Sequence, residues 1–495
     1  MNLIKVLIYI ILLIIIIVFP FSFYSYNGTK FFYVIFTFIS SFAIIYSLRK
    51  NSIFFETFLS LLIWLGFWFK FSIQISFLNN MFPEGVGKFN YLQSSFDQVM
   101  IFSSIAIIAL IFASLIREKF IFSYVELEKK KLIPYTILKF YNLHRTKIIY
   151  CLIILFLSLC IINLSFSFFQ KGTMPDLILP LGINNIFKWL LMFGFSSFFS
   201  ILIYFEFLKK KKNSNKILKF GFLENFFSSI SSISRAMIFN STSLFYGYYR
   251  TLEFSDIKIS KKKLIKYYFI VSILFMISLL VVSKIRQENN FPIGHEVHDY
   301  IPKIEYEIKG ENKNENKFIS DNIINPINNF ILEIDQIIFL IAGRWVGVDS
   351  LMAVQAMDNK GFDLILQSFK EEFNFSNSFY ENQIKGSYHK YPQEPKVYTI
   401  YVPGIIAYLY YSNSLLFVFL GLFLLSLFCS LIELIAYKIS KQNLIFASLI
   451  GNVLAYRLAH FGYMPLNSYK ILIAIGINLL ILYLIFKLIN YFYRK

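Results

Sequence analysis

Three arginines carry most of the chemistry legible in this chain. Arg235 lies in FFSSISSISRAMIFN, Arg344 in FLIAGRWVGVDSLMAV and Arg457 in NVLAYRLAHFGYMP. Each interrupts an apolar stretch. An arginine at the centre of a membrane helix costs about 2.5–3.5 kcal/mol on insertion scales. It must therefore find a partner, line an aqueous cavity, or snorkel to the interface. The planar guanidinium fork matches phosphate or carboxylate, so three such groups on one side of a membrane would make an anion clamp. Around Arg235, Ser231, Ser232 and Ser234 allow close backbone approach. Beside Arg344, Trp345 suits an interface or a sugar face. Asp349 has two readings: a general base near the cations, or an N-cap for a helix over SLMAVQAM. Arg457 and His460, spaced i,i+3, share one helix face. His460 is a second base candidate, or an idle histidine beside an interfacial arginine.

The elements that position these residues are membrane helices. The 495 residues are 57% hydrophobic and only 16% charged, which excludes an ordinary soluble domain. Apolar runs of membrane-spanning length cover 4–24, 31–48, 54–77, 99–116, 148–168, 186–208, 265–283, 414–437, 442–459 and 469–490. A further apolar but interrupted region, 217–250, reads as a hairpin or a re-entrant pair. The fold class is thus an all-α polytopic integral membrane protein with about 10–12 transmembrane helices. It divides into a bundle over 1–283, a large outer loop over 284–413, and C-terminal spans over 414–495. The first run lacks an A-x-A-like cleavage site and reads as a retained span.

Charge distribution orients the chain. The net charge of +19 suggests nucleic acid only until its distribution is considered. The basic residues cluster in 117–147, 209–216 and 258–266, while 80–98 and 169–185 each hold one lysine. The positive-inside rule makes the basic loops cytoplasmic, with the N-terminus inside and 284–413 outside. All three arginines then fall at the outer face. Within the outer loop, 286–328 reads as a polar linker and 329–341 as an interfacial or re-entrant helix. Phe362, Ile365, Leu366, Phe369 and Phe373 fall at the spacing of a surface amphipathic helix. The 398–411 stretch dips toward lipid, with Pro403 and Gly404 able to break a helix.

Several chemistries are disfavoured. No Walker A motif is present, so no nucleotide-driven pump is implied. His295 and His298, in HEVHD, do not form HExxH, and no Asp-x-Asp pair suggests a metal–nucleotide-sugar enzyme. No metal and no cofactor is expected. Cys151, Cys160 and Cys429 lie in apolar runs and form no disulfide framework. Lys70 reads as a snorkelling residue, and His389 and Lys390 as secondary contacts. The 33 Tyr and 60 Phe coat helices against lipid.

This layout resembles the Wzy-type O-antigen polymerases, or oligosaccharide repeat unit polymerases. The likeness covers most of the chain: ten or more spans and one large, late outer loop with arginines. Ser234-Arg235-Ala236 is similar to an outward-facing patch of such enzymes. Some members carry Arg-x10-Gly elements. Here eleven residues separate Arg235 from Gly247, and Gly347 and Gly361 miss that spacing from Arg344. The resemblance implies polymerisation of oligosaccharide repeat units carried on undecaprenyl diphosphate, at the outer face of a bacterial inner membrane. It implies Arg235, Arg344 and Arg457 on the diphosphate, Asp349 or His460 as base, and partners that include membrane lipids and a chain-length regulator protein. An O-antigen ligase or another lipid-linked glycosyltransferase would have similar chemistry. A lipid-linked oligosaccharide flippase should instead show internal repeats and cationic residues through both leaflets.

Overall fold

The computed structural model describes residues 3–78, 82, 86–129, 135–170, 179–180, 183–209, 211–234, 239–257, 260–288, 345–370, 402–462 and 468–493. Among them every regular element is helical. In lipid, backbone N–H and C=O groups must be satisfied within the segment, so the apolar runs become helices. The first half comprises α1 (Leu3–Ser25), α2 (Lys30–Ser47), α3 (Phe54–Ile63), α4 (Phe71–Phe77), α5 (Gln93–Ile116), α6 (Tyr124–Lys129), α7 (Tyr135–Phe166), α8 (Ile183–Trp189) and α9 (Phe195–Lys209). Three π-helical turns are inserted: Trp64–Lys70 between α3 and α4, Arg117–Ile121 after α5, and Leu190–Gly194 between α8 and α9. The second half comprises α10 (Lys211–Ser231), α11 (Phe239–Phe254), α12 (Lys261–Glu288), α13 (Val348–Gln355), α14 (Phe362–Phe369), α15 (Gly404–Tyr410), α16 (Leu415–Ile439), α17 (Leu444–Ala459) and α18 (Ser468–Tyr493).

Among the described residues, nine helices are long and apolar enough to cross a membrane. They match nine of the ten expected spans, and the protein is an all-α multi-pass membrane protein. The tenth, 442–459, is the 16-residue α17. At 1.5 Å per residue it is about 24 Å long, short of a typical hydrocarbon core. Its setting is protein on most sides: α3, α9, α11 and α16 pack around it. Small residues permit this. A Cβ on Gly451 would lie 2.7 Å from the Phe55 nitrogen, and one on Gly247 of α11 would lie 2.7 Å from the Ile445 Cα. Close approach of this kind is how membrane helices gain packing without a hydrophobic drive. The described part of the 217–250 region lies mostly in two helices that pack together, α10 and α11. The expected loop 117–147 is partly helical, because α7 begins at Tyr135 and carries its Lys and Arg on its first turns.

One end of the bundle gathers basic loops. Arg117 meets Glu56 bidentately, Nε to Oε1 at 2.9 Å and Nη2 to Oε2 at 2.7 Å. Its Nη1 donates to the carbonyls of Asn51 and Phe122. Glu433 of α16 accepts from the backbone N–H groups of Phe54 and Phe55, at 3.0 and 2.7 Å, and from the Tyr124 hydroxyl at 2.7 Å. A carboxylate there satisfies orphan donors at the start of α3 and suits the positive end of that helix. Arg250 donates to the carbonyls of Arg49 and Lys50, joining α11 to the same end.

At the opposite end, parts of the late loop fold back into the bundle. Every residue from Val348 to Val354 is buried, as is every residue from Gly404 to Tyr410. The expectation that 398–411 dips toward lipid is thus corrected for its described part. α15 is enclosed by α13, α16 and α17. Residues 289–344, 371–401 and 463–467, including His295, His298, Phe373, His389 and Lys390, lie outside the described residues. α14 is amphipathic, but not in the expected register. Leu364, Ile365 and Ser368 are buried, while Phe362, Leu366 and Phe369 are exposed, so Ile365 leaves the expected stripe and faces inward.

Two glycines weld the late segment to the bundle. A Cβ on Gly66 would lie 2.0 Å from the Val346 carbonyl oxygen, and one on Gly347 would lie 2.1 Å from the Gly66 oxygen. The obstacle in both cases is backbone, which cannot swing aside. Gly66→Ala is expected to destabilise by at least about 1–3 kcal/mol, the usual range for overpacking, and to open the 345–355 segment to protease. Gly361 has nothing within 4 Å of its Cβ position, so Gly361→Ala should melt with the parent protein. Equal melting of all three proteins would refute the backbone contact.

Candidate functional site

The site begins with the π turn Trp64–Lys70. A π turn shifts the side chains after it around the helix axis. Here Lys70 is fully buried, and its Nζ lies 2.7 Å from Asp349 Oδ2 and 2.8 Å from the Trp345 carbonyl oxygen. Snorkelling is therefore ruled out for Lys70. Asp349 is not the N-cap of α13 either. Gly347 occupies that position with extended backbone, and Asp349 sits in the first helical turn. There its charge suits the positive helix end and is committed to Lys70. With no exposed surface, Asp349 anchors the late segment against the π turn.

That anchor fixes Trp345, whose ring centroid lies 6.1 Å from that of Phe239 at the start of α11. Phe239 in turn lies 6.3 Å from Tyr456 of α17. Tyr456 stacks on His460 at 4.1 Å and 22°. His460 Nδ1 lies 3.0 Å from the Tyr456 carbonyl oxygen. With Nδ1–H donating there, a neutral imidazole carries its lone pair on Nε2. The turn bearing His460 is pinned from the other side by Gly404 N–H, which donates to the Phe461 carbonyl at 2.8 Å. Gly404 has φ +76°, and a Cβ there would meet the Ala459 oxygen at 2.8 Å. Glycine is required on both counts.

Arg457 lies between these groups and the third π turn, Leu190–Gly194. Its Nη2 meets the Met192 sulfur at 3.9 Å. Asn240 Nδ2 donates to the Met192 carbonyl at 2.8 Å, and Asn452 Nδ2 lies 3.4 Å from Asn240 Oδ1. Among the described residues no carboxylate pairs with Arg457. Among the described residues the two buried arginines have such mates: Arg117 has Glu56, and Arg250 has Glu253 at 3.6 Å. A part-buried guanidinium against a thioether, with no carboxylate mate among the described residues, suits an anion.

No family model, curated protein or solved structure matches this chain. Arg235 and Arg344 lie outside the described residues. Trp345, next to Arg344, is in ring contact with Phe239, four residues after Arg235, beside Tyr456, while Ser234, next to Arg235, is buried after the end of α10. Asp349 and His460 reach the same end of the bundle through α13 and α17. No cluster of three or more metal-ligating side chains occurs among the described residues. Sequence reasoning missed Lys70, Met192, Asn240 and Tyr456. For Lys70 a signal existed: an ionisable residue in an apolar run is a functional hypothesis by default, and its partner should be sought on the same side.

Proposed function

We propose that this protein joins oligosaccharide units carried on undecaprenyl diphosphate, acting as a metal-independent glycosyltransferase of the polymerase type at the outer face of a bacterial inner membrane. The observation that carries the reading is Arg457, a part-buried guanidinium with no carboxylate mate among the described residues. In the reaction, an acceptor hydroxyl oxygen bonds to the anomeric carbon of the donor sugar. The bond from that carbon to the diphosphate oxygen breaks, and its electron pair leaves on the diphosphate. Negative charge grows there, and preorganised guanidinium groups stabilise it in a water-poor site. Arg457, Arg235 and Arg344 take this role. His460 Nε2 accepts the hydroxyl proton. Asp349 acts through Lys70, holding Trp345 where a sugar face would pack.

The test uses proteoliposomes containing the purified protein and an undecaprenyl diphosphate-linked repeat unit, with product length read on a gel. Arg235→Ala, Arg344→Ala and Arg457→Ala, each made singly, are expected to leave products at one repeat unit. Chains of ordinary length from all three would end the proposal. Movement of the intact lipid-linked unit between leaflets, without new glycosidic bonds, would replace it with a flippase.

The proposal also predicts a pH profile. Loss of His460 should remove the acidic limb of the rate, because the imidazole must be neutral to accept a proton. An unchanged acidic limb in His460→Gln would assign the base elsewhere.

A further inference from the structure

Behind the site, the buried polar atoms of α9 and α10 pose a problem of proton counting. Glu224 of α10 is buried. Its Oε2 lies 2.8 Å from Ser196 Oγ and its Oε1 lies 3.1 Å from Ser228 Oγ. Ser196 Oγ also lies 2.9 Å from Asn225 Oδ1. The orientation of the Asn225 amide is fixed, because its Nδ2 donates to the Gly221 carbonyl at 2.8 Å. Reversing it would set two oxygens against each other with no hydrogen between them. Ser196 therefore faces two acceptors, yet a hydroxyl carries a single proton. Among the described residues no lysine or arginine forms an ion pair with Glu224. Among the described residues the Cys160 thiol of α7 also faces it, and a thiol brings no positive charge.

We infer that these residues form a proton-binding site within the bundle, with Glu224 held as a neutral carboxylic acid. The chain of donors then closes. The Glu224 O–H donates to Ser196 Oγ, the Ser196 O–H donates to Asn225 Oδ1, and the Ser228 hydroxyl donates to the second Glu224 oxygen. Every buried polar atom in the set is satisfied, as burial requires. The location gives the proton a consequence. Ser196 is four residues, about one helical turn, from Met192, the residue that meets Arg457. An ionised carboxylate there would weaken the Arg457 field, whereas a neutral acid would not. The inference rests on hydrogen-bond geometry and not on the proposed glycan chemistry.

The experiment uses the full-length protein in lipid nanodiscs at neutral pH. Infrared difference spectra of wild type minus Glu224→Gln, in H2O and D2O, are expected to show a carboxylic-acid carbonyl band in the wild type. The band should shift in D2O and be absent from the variant. Glu224→Gln should melt with the wild type, because its amide N–H2 can donate to Ser196 as the acid does. Ser196→Ala should move the acid band, since the acid loses its acceptor. This second variant keeps the inference testable if Glu224→Gln does not fold. A carboxylate band in place of the acid band, or an acid band unmoved by Ser196→Ala, would overturn the inference. So would sodium chloride raising the melting temperature of wild type but not of Glu224→Gln, which would assign the oxygens to a sodium ion.

Discussion

Lys70→Ala is expected to cost about 3–5 kcal/mol of stability, the usual cost of leaving one member of a buried ion pair alone. Both side chains of the Lys70–Asp349 pair are fully buried, so neither charge can turn to water when its partner is removed. Asp349→Ala should cost a similar amount. The paired replacement Lys70→Met/Asp349→Leu should lie close to the wild type, because well-packed apolar groups commonly substitute for a buried pair. Unfolding in mixed detergent micelles measures all four proteins, and the coupling between the two positions follows from the cycle. Single variants within about 1 kcal/mol of wild type would mean that Lys70 and Asp349 do not hold the late segment in place. The double variant also separates fold from chemistry. If Asp349 acts only through position, the double variant keeps most of its activity, and if Asp349 reacts with substrate, the activity disappears.

Arg457→Ala should do the opposite. Its removal takes away a part-buried cation that has no carboxylate mate among the described residues, so the melting temperature is expected to stay level or rise. The rate of chain extension should fall by about 10²–10³, the range seen when one preorganised donor to a developing oxyanion is deleted. A variant that gains stability and loses activity is the signature of a site kept strained for function. Arg457→Lys should lie between the two, since an ammonium keeps the charge but not the bidentate fork. A variant that loses both stability and activity would recast Arg457 as a structural residue.

The membrane helices were legible because long apolar runs leave a chain in lipid no other option. α10 was harder to read. Its serines, Asn225 and Glu224 depress its hydropathy, yet its neighbours bury it and its hydroxyls bond within the bundle. α13 was legible as a short helix over SLMAVQAM but not its enclosure, and α15 only as a break in apolar text, because a short helix enclosed by protein has no length signature. The Arg457–His460 face could be read locally, since residues i and i+3 are neighbours on any helix. The Lys70–Asp349 pair and the Gly66–Gly347 contact could not, because each joins residues from opposite halves of the chain. Local pattern carries no information about which distant backbone will arrive.

A π turn holds one residue more than the α turn it interrupts. Deleting a single residue from Trp64–Lys70, Phe69 for example, would let the run from Phe54 to Phe77 close into uniform α-helix. The flanking α segments would keep their facing, because the π turn absorbs one extra residue, but Gly66 and Lys70, inside the turn, would lose the widened backbone that sets them against Gly347 and Asp349. Hydropathy would barely change. This stretch should therefore accept many apolar exchanges yet reject a one-residue indel, as a screw thread tolerates a new finish but not a missing groove.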